Sequence, residues 1–128
     1  EKLNLFKSAS TIIYGKDYHE LHDCILQFAT QLKNNIDQDL QLINWSRKGE
    51  ADLLINSIQK SNNSSLIKGI YGGHEISIQI PFTDDAYIED SIHCWLTMLF
   101  LKIPQDIIEQ RMQKLVHIHL RVYEIGLE

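Results

Sequence analysis

The residues whose types most readily suggest chemistry are two histidines near the end of the chain and a histidine beside a cysteine. His117 and His119 are two positions apart, so a β-strand would place both imidazoles on one face, as some metal sites require. Because two ligands hold zinc poorly and no local spacing supplies a third, an exposed strand face is the preferred interpretation.

His93 and Cys94 are adjacent, and neighbouring helix residues point about 100° apart, which excludes a nucleophile–base pair within one helix. We therefore predict Cys94 as a small core residue and His93 as a flanking polar one.

Carboxylates and glycines form the other candidate groups. Four acids cluster in a segment that predicts the start of a helix: Asp84, Asp85, Glu89 and Asp90. Carboxylates at a helix start ordinarily interact favourably with the helix dipole, and magnesium binding is the alternative. Gly72 and Gly73 stand between two strand-like runs and predict the tight turn of a hairpin. The chain contains neither G-x-x-x-x-G-K-S/T nor G-x-G-x-x-G, the two common phosphate-binding patterns.

Composition narrows the classes of protein that the chain can represent. Its 128 residues are 44% hydrophobic and 23% charged, which is typical of one globular domain and excludes intrinsic disorder. A formal net charge of -5 is the wrong sign for a nucleic-acid binder that relies on a basic surface. The longest apolar run, Cys94 to Leu101, is too short for a membrane helix. Cys24 and Cys94 both fall in apolar helical patterns and suit a reducing compartment, so we predict a cytoplasmic protein.

The first part of the chain predicts a βαβ unit. Residues 11–14 and 40–45 are apolar runs that predict buried strands. Between them, a helix over about residues 18–33 is predicted from apolar residues at helical spacing, namely Leu21, Ile25, Phe28 and Leu32. Asp17 and Glu20 have the spacing of a capping box at its start. Strand, helix and strand in this order indicate a right-handed crossover between parallel strands.

The second part predicts an antiparallel meander and two helices. Strands are expected at 51–58, 66–71 and 74–80, with Tyr71 opposite His74 and Ile67 opposite Ile78. A helix starting at Thr83-Asp84-Asp85 is expected to bury Ile88, Ile92, Trp95, Leu96 and Leu99. A further helix opened by Pro104 is expected to bury Ile107, Ile108, Met112 and Leu115. Residues 116–124 alternate and predict a half-buried strand. The predicted fold class is α/β: a βαβ unit with parallel strands, an antiparallel three-stranded meander, and two C-terminal helices followed by a strand.

Several segments together resemble the Mur ligase family. Ile107 to Leu115 matches the family's helix pattern I-x-x-R-M-x-x-L, and Leu120-Arg121-Val122 resembles its strand M-R-L-E. The segment from Ile80 to Trp95 resembles the preceding strand, turn and helix, and Trp45 to Leu53 resembles the family's A-D-L entry to the antiparallel part. The resemblance covers essentially the whole chain. It is closest to the D-alanyl-D-alanine-adding ligase in the form fused to an alanine racemase.

The resemblance implies that residues 1–128 are one domain, the later part of the central, ATP-binding domain of a peptidoglycan precursor ligase, without its phosphate-binding loop. Such enzymes phosphorylate the carboxylate of a UDP-muramoyl-peptide with ATP, and the amine of D-Ala-D-Ala then attacks the acyl phosphate. ATP and Mg²⁺ are the implied cofactors of the parent enzyme, and its remaining domains are the implied partners. The isolated fragment is expected to be inactive and to hold no cofactor, and neither nucleic acid nor a membrane is an expected partner.

The resemblance also implies the position of three site residues. Tyr87 and Asp90 align with two nucleotide-proximal asparagines of the family, and a carboxylate near phosphates is repelled. Lys2, in Glu1-Lys-x-x-Leu-Phe6, resembles the family lysine that is carbamylated to hold a magnesium ion, the alternative being a solvated lysine near a frayed terminus. No catalytic residue is predicted. Because of these departures, a non-catalytic α/β interaction or scaffolding domain derived from the same fold is the alternative function.

Overall fold

The computed structural model describes residues 10–115. The strand predicted at 116–124, the His117 and His119 pair and Lys2 lie outside the described residues. The elements run along the chain as β1 Thr11–Gly15, α1 His19–Ile36, β2 Gln41–Ser46, β3 Leu53–Lys60, β4 Ser65–Tyr71, β5 His74–Ile80, α2 Asp85–Phe100 and α3 Gln105–Met112. Within the described range, each helix is too short or too polar to cross a lipid bilayer.

The five strands form one mixed sheet in the order β1-β2-β3-β4-β5. β1 and β2 are parallel, as the strand–helix–strand pattern predicts, and β3 is parallel to β2. The remaining pairs, β3 with β4 and β4 with β5, are antiparallel. The predicted α/β class, with a parallel unit beside an antiparallel meander, is therefore confirmed.

The hairpin of β4 and β5 has the predicted register. Tyr71 lies opposite His74, and Ile67 lies opposite Ile78. Gly72 and Gly73 have φ angles of 59° and 80°, the left-handed conformation that both central residues of this turn type require and that glycine adopts without steric cost. Local sequence therefore determines this part of the fold.

The connection from β2 to β3 is short for two parallel strands. It consists of residues 47–52, whereas a parallel pair usually needs a crossover of roughly a dozen residues or more. The short loop suffices because the strands overlap only where Trp45 pairs with Leu53 and Ser46 pairs with Leu54. The carboxyl end of β2 thus meets the start of β3, and the loop between them stands at the same edge as the end of β1.

Helices cover the two faces of the sheet with separate apolar layers. Ile12 and Tyr14 of β1 belong to the layer under α1, whereas Ile13 packs in the layer under α2 and α3. Because side chains alternate along a strand, the two layers lie on opposite faces. The α1 layer consists of Ile12, Tyr14, Ile25, Phe28 and Leu32. The larger layer includes Trp45, Ile67, Ile78, Ile88, Ile92, Trp95, Leu96, Ile108 and Met112.

Two aliphatic residues predicted to be buried are exposed. Leu21 is 43% exposed and Ile107 is 37% exposed. In the first turn of α1 the residue that contacts the sheet is His22, whose ring stacks on Tyr14 with centroids 5.6 Å apart, and Leu21 is turned away from the α1 layer. On the short α3, Ile108 and Met112 are four residues apart and face the core, which turns Ile107 to the side. Leu99 is partly rather than fully buried against the larger layer.

Candidate functional site

The carboxyl ends of β1 and β2 meet at one edge of the sheet, where ligands of open α/β sheets usually bind. There the carboxylate of Asp17 accepts a 2.5 Å hydrogen bond from the Ser46 hydroxyl and a 2.8 Å bond from the backbone N–H of Arg47. Ser46 Oγ in turn accepts from the backbone N–H groups of Lys48 and Gly49, at 3.0 and 3.1 Å. The predicted capping role of Asp17 is therefore wrong: Tyr18 is the N-cap of α1 and makes no side-chain cap bond, because the Asp17 carboxylate is engaged by the β2–β3 loop.

Further hydrogen bonds hold the β2–β3 loop from both sides. Lys16 donates its backbone N–H to the Trp45 carbonyl at 2.8 Å and its Nζ to the Glu50 carbonyl at 2.9 Å. Asn44 and Asp52 exchange side-chain-to-backbone bonds of 2.9 and 3.2 Å. These bonds tie the loop to the ends of β1 and β2, and the side chains of residues 47 and 48 are exposed at the edge of the sheet.

The acids at the start of α2 are mostly engaged within the fold. Asp84, predicted as one of the acids at the start of this helix, is its N-cap and accepts from the backbone N–H of Ala86 at 2.9 Å. Lys60 Nζ lies 2.7 Å from Asp85, and this hydrogen-bonded ammonium lowers the pKa of the Asp85 carboxyl, with a smaller contribution from Arg47. The negative charge beside Tyr87 is therefore smaller than four unpaired carboxylates would produce.

Glu89 accepts a hydrogen bond from Tyr18, which lies 71 positions earlier in the sequence. It accepts the Tyr18 hydroxyl at 2.5 and 2.7 Å, and this bond raises the pKa of Tyr18. Asp90, one position along, is exposed. Among residues 10–115, no three His, Cys, Asp or Glu side chains are grouped so that they could hold a metal ion.

Tyr87 lies in a small cleft at the N-terminal end of α2. Its ring stacks on Phe82 with centroids 5.0 Å apart and planes inclined by 30°. The cleft has a volume of about 310 Å³, and its lining consists of Asn62, Asn63, Pro81, Phe82, Thr83, Asp84 and Tyr87. An aromatic pair beside two carboxamides, in a space at the lower end of the range for ligand pockets, suits a planar heterocycle with hydrogen-bonding edges. The structure places Tyr87 in this cleft, and Asp90 is not among the residues that line it.

The roles predicted for His93 and Cys94 are reversed. Cys94 is exposed, whereas His93 is partly buried and its Nδ1 lies 3.2 Å from Nε1 of the buried Trp45. The two rings meet edge to face, with centroids 5.4 Å apart. His93 lies on the side of α2 next to β2, and Cys94, about 100° further round the helix, faces solvent. Cys24 is also exposed, and both cysteines are free thiols.

The sequence contains no pattern that predicts most of these contacts. Asp17 and Ser46 are 29 positions apart, and Trp45 and His93 are 48 apart. The one available clue is that a buried indole N–H needs an acceptor, and this requirement does not say which residue supplies it. The edge of the parallel strands, the Tyr87 cleft and the side of α2 that carries Glu89 and His93 together form the candidate site.

Similarity to known proteins is found at the level of structure. No protein-family model and no curated protein matches the chain. A UDP-N-acetylmuramoyl-L-alanyl-D-glutamate–2,6-diaminopimelate ligase superimposes over 90% of this chain with a TM-score of 0.72 and 17% sequence identity. MurF from Acinetobacter baumannii superimposes over 83% of it with a TM-score of 0.60 and 10% identity.

A further solved structure is similar to this chain, and all of these proteins are several times longer than it. A UDP-N-acetylmuramoylalanyl-D-glutamyl-2,6-diaminopimelate–D-alanyl-D-alanyl ligase from Acinetobacter baumannii gives a TM-score of 0.57 at 10% identity. The chain spans 23% of the diaminopimelate ligase and 21% of the two Acinetobacter proteins. The described residues therefore share the fold of one part of the Mur ligases.

Proposed function

We propose that the chain is part of an ATP-dependent ligase of peptidoglycan precursor synthesis, of the type that adds D-alanyl-D-alanine to a UDP-muramoyl-peptide. The observation that carries the proposal is the superposition on a muramoyl-peptide ligase over 90% of the chain with a TM-score of 0.72. The segments Ile80–Trp95 and Ile107–Leu115, which resemble the same family in sequence, support it independently. The D-alanyl-D-alanine specificity and the fusion to a racemase rest on the sequence resemblance alone.

In this proposal the chain supplies one wall of the nucleotide site of the parent enzyme. The Tyr87 cleft has the shape and polarity for the base, with the ring of Tyr87 as a stacking surface and the carboxamides of Asn62 and Asn63 nearby. The carboxylate of Asp90 does not suit a phosphate. The 128 residues contain no glycine-rich phosphate loop, so the rest of the protein must bind the triphosphate.

ATP and Mg²⁺ would supply the phosphoryl group and its charge stabilisation in the parent enzyme. Lys2, the proposed carbamylated ligand of a magnesium ion, is part of the same hypothesis. The single-domain assignment of residues 1–128 and the cytoplasmic location also belong to it. In isolation the chain is expected to be inactive, because it holds neither the phosphate loop nor the muramoyl-peptide site of a complete ligase.

The proposal is tested with the complete gene product. ADP release is measured with UDP-muramoyl-tripeptide and D-Ala-D-Ala together, with each alone, and with UDP-muramoyl-dipeptide together with diaminopimelate. We expect ADP release only when the tripeptide precursor and D-Ala-D-Ala are both present. Release with diaminopimelate and the dipeptide precursor instead would keep the ligase and overturn the specificity. No release with any amine would overturn the ligase proposal.

A matched pair of variants tests the role of the cleft in the same assay. Tyr87→Ala removes the stacking surface and should raise the KM for ATP by roughly tenfold, the equivalent of about 1.4 kcal/mol of binding free energy. His74→Ala changes an exposed residue at the far hairpin and should leave the KM unchanged. Equal KM values for the two variants would remove Tyr87 from the nucleotide site.

A non-catalytic interaction or scaffolding domain is the second candidate, and the acids of α2 favour it. Asp84, Asp85 and Glu89 are bound within the fold, and Asp90 stands where the family has an asparagine. The two candidates differ in the sequence that precedes residue 1 of the gene product. A G-x-x-x-x-G-K-S/T loop there would favour the ligase, and a complete protein without such a loop would favour the scaffold.

A further inference from the structure

Two residues on one side of α2 bind the βαβ unit. Glu89 accepts the hydroxyl of Tyr18 from the β1–α1 loop, and the Nδ1 of His93 lies 3.2 Å from the indole nitrogen of Trp45 on β2. Helix residues four positions apart lie on the same face. The two bonds are therefore neighbouring attachments of α2 to the carboxyl ends of β1 and β2.

The attachment at His93 depends on the protonation state of its imidazole. Trp45 is 1% exposed, and an indole N–H can only donate. Nδ1 of His93 must therefore be the unprotonated, accepting nitrogen. Protonation would place a hydrogen on Nδ1 as well, so two N–H groups would face each other and the buried indole would lose its partner, which is unfavourable.

The charges around His93 determine the direction of its titration. Burial lowers the pKa of His93 from its ordinary value of 6.5, and the carboxylates of Asp90 and Glu89, both on α2, oppose this with smaller effects. Trp45, the partner on β2, carries no charge. Because the unfolded chain binds the proton more readily than the folded one, the contact is fully formed above about pH 6.5 and its contribution is lost as the pH falls below that value.

We propose that the hydrogen bond between Trp45 and His93 is an acid-released latch between the middle of α2 and the carboxyl end of β2, which opens when His93 is protonated. The helix itself keeps its place, because Ile88, Ile92, Trp95 and Leu96 are buried in the larger apolar layer. Acid therefore weakens the contact of α2 with β2 without unfolding the domain. The latch belongs to the fold itself and does not depend on the ligase function.

The second tryptophan provides an internal control for the test. The indole N–H of Trp95 donates to the Gln105 side-chain oxygen at 3.2 Å, and this carboxamide does not titrate. In ¹H–¹⁵N spectra of the labelled 128-residue chain between about pH 8 and pH 5, the Trp45 indole cross-peak should shift in a one-proton transition with its midpoint below 6.5. The Trp95 indole cross-peak should stay in place.

Two variants and an exchange measurement complete the test. His93→Asn keeps an oxygen acceptor near the position of Nδ1 but cannot titrate, so it should abolish the Trp45 transition, whereas His22→Asn, at the histidine that contacts Tyr14, should preserve it. In the wild-type chain, acid should lower the protection factor of the Trp45 indole N–H by at least about threefold, with no change at the Trp95 indole N–H. His93→Asn should show no such loss.

The following results would overturn the latch. A Trp45 cross-peak that does not titrate, or that titrates equally in His93→Asn, excludes His93 as the sensor. Unchanged protection of the Trp45 indole N–H in acid excludes the opening of the latch. Should His93→Asn fail to fold, the ring-carbon shifts of His93 in the wild-type chain measure its titration directly, and a midpoint at or above 6.5 contradicts the proposal.

Discussion

The βαβ unit and the antiparallel meander reach their structures by different kinds of contact. In the meander, β3, β4 and β5 pair with their neighbours in sequence, and the hairpin at Gly72 and Gly73 fixes the register of β4 with β5. At the carboxyl edge of the βαβ unit, side-chain bonds join residues far apart, such as Asp17 and Ser46, 29 positions from each other, and Tyr18 and Glu89 of α2, 71 positions from each other. Antiparallel pairing is thus encoded locally, whereas the edge of the parallel strands forms only when distant elements meet.

The largest expected effects come from a matched pair of core truncations. Ile67→Ala in the meander and Ile25→Ala in α1 remove the same atoms from sites that are 0% and 2% exposed. Each should lower the free energy of unfolding by about 2–5 kcal/mol. Ile67 should cost more, because the larger layer around it can relax less into the cavity. Urea denaturation of both variants measures the difference, and a greater loss for Ile25→Ala would contradict the ranking of the two layers.

The next effect tests the edge of the parallel strands. Asp17→Ala removes the carboxylate that accepts from Ser46 and from the backbone of Arg47. We expect a loss of about 2 kcal/mol in the free energy of unfolding, the usual range for hydrogen bonds to a charged group. Asp23→Ala, at an exposed position of α1, is the control and should change stability little. Equal stability of the two variants in thermal denaturation would show that Asp17 does not hold the loop.

A smaller effect tests the local encoding of the hairpin. Gly73→Val places a β-branched residue at a φ of 80° and should cost more than about 1 kcal/mol. Gly49→Val is the matched control, because a Cβ there meets nothing within 4 Å and its backbone is outside the left-handed region. An unchanged urea midpoint for Gly73→Val would count against the turn.

The smallest effect concerns the exposed Leu21 in the first turn of α1. Leu21→Ala should change the free energy of unfolding by less than about 0.5 kcal/mol, because the side chain is 43% exposed. The same measurement on Ile25→Ala, one turn later on the same helix, provides the comparison. A loss for Leu21→Ala that approaches the loss for Ile25→Ala would mean that another part of the protein covers the first turn of α1.

The sequence predicts the elements that depend on local patterns and misses the contacts that depend on assembly. Alternation, glycine pairs and helical spacing place every strand and helix within residues 10–115 to within a few residues. Helical spacing fails at Leu21 and Ile107 because it does not determine which of two adjacent residues meets the core, and in the structure these are His22 and Ile108. It fails at Cys94 and His93 because which flank of α2 meets β2 is decided by packing.

The candidate site is less predictable than the fold for the same reason. The resemblance brings Tyr87 to attention, and the structure places it in a cleft with Phe82 and two asparagines of the β3–β4 turn. No spacing in the sequence connects Asn62 with Tyr87 or Asp17 with Ser46. Each of these pairs forms only after the sheet has assembled.

The central claim, that the chain is part of a nucleotide-dependent ligase and needs the rest of that protein for the phosphates, is tested most directly by calorimetry with magnesium-ATP. For the isolated 128-residue chain we expect no measurable heat, because base contacts in the Tyr87 cleft without a phosphate loop give at best a millimolar Kd, about -4 kcal/mol. For the complete gene product we expect saturable binding with a Kd at or below the micromolar range. Low-micromolar binding by the isolated chain, or no binding by the complete protein, would contradict the account.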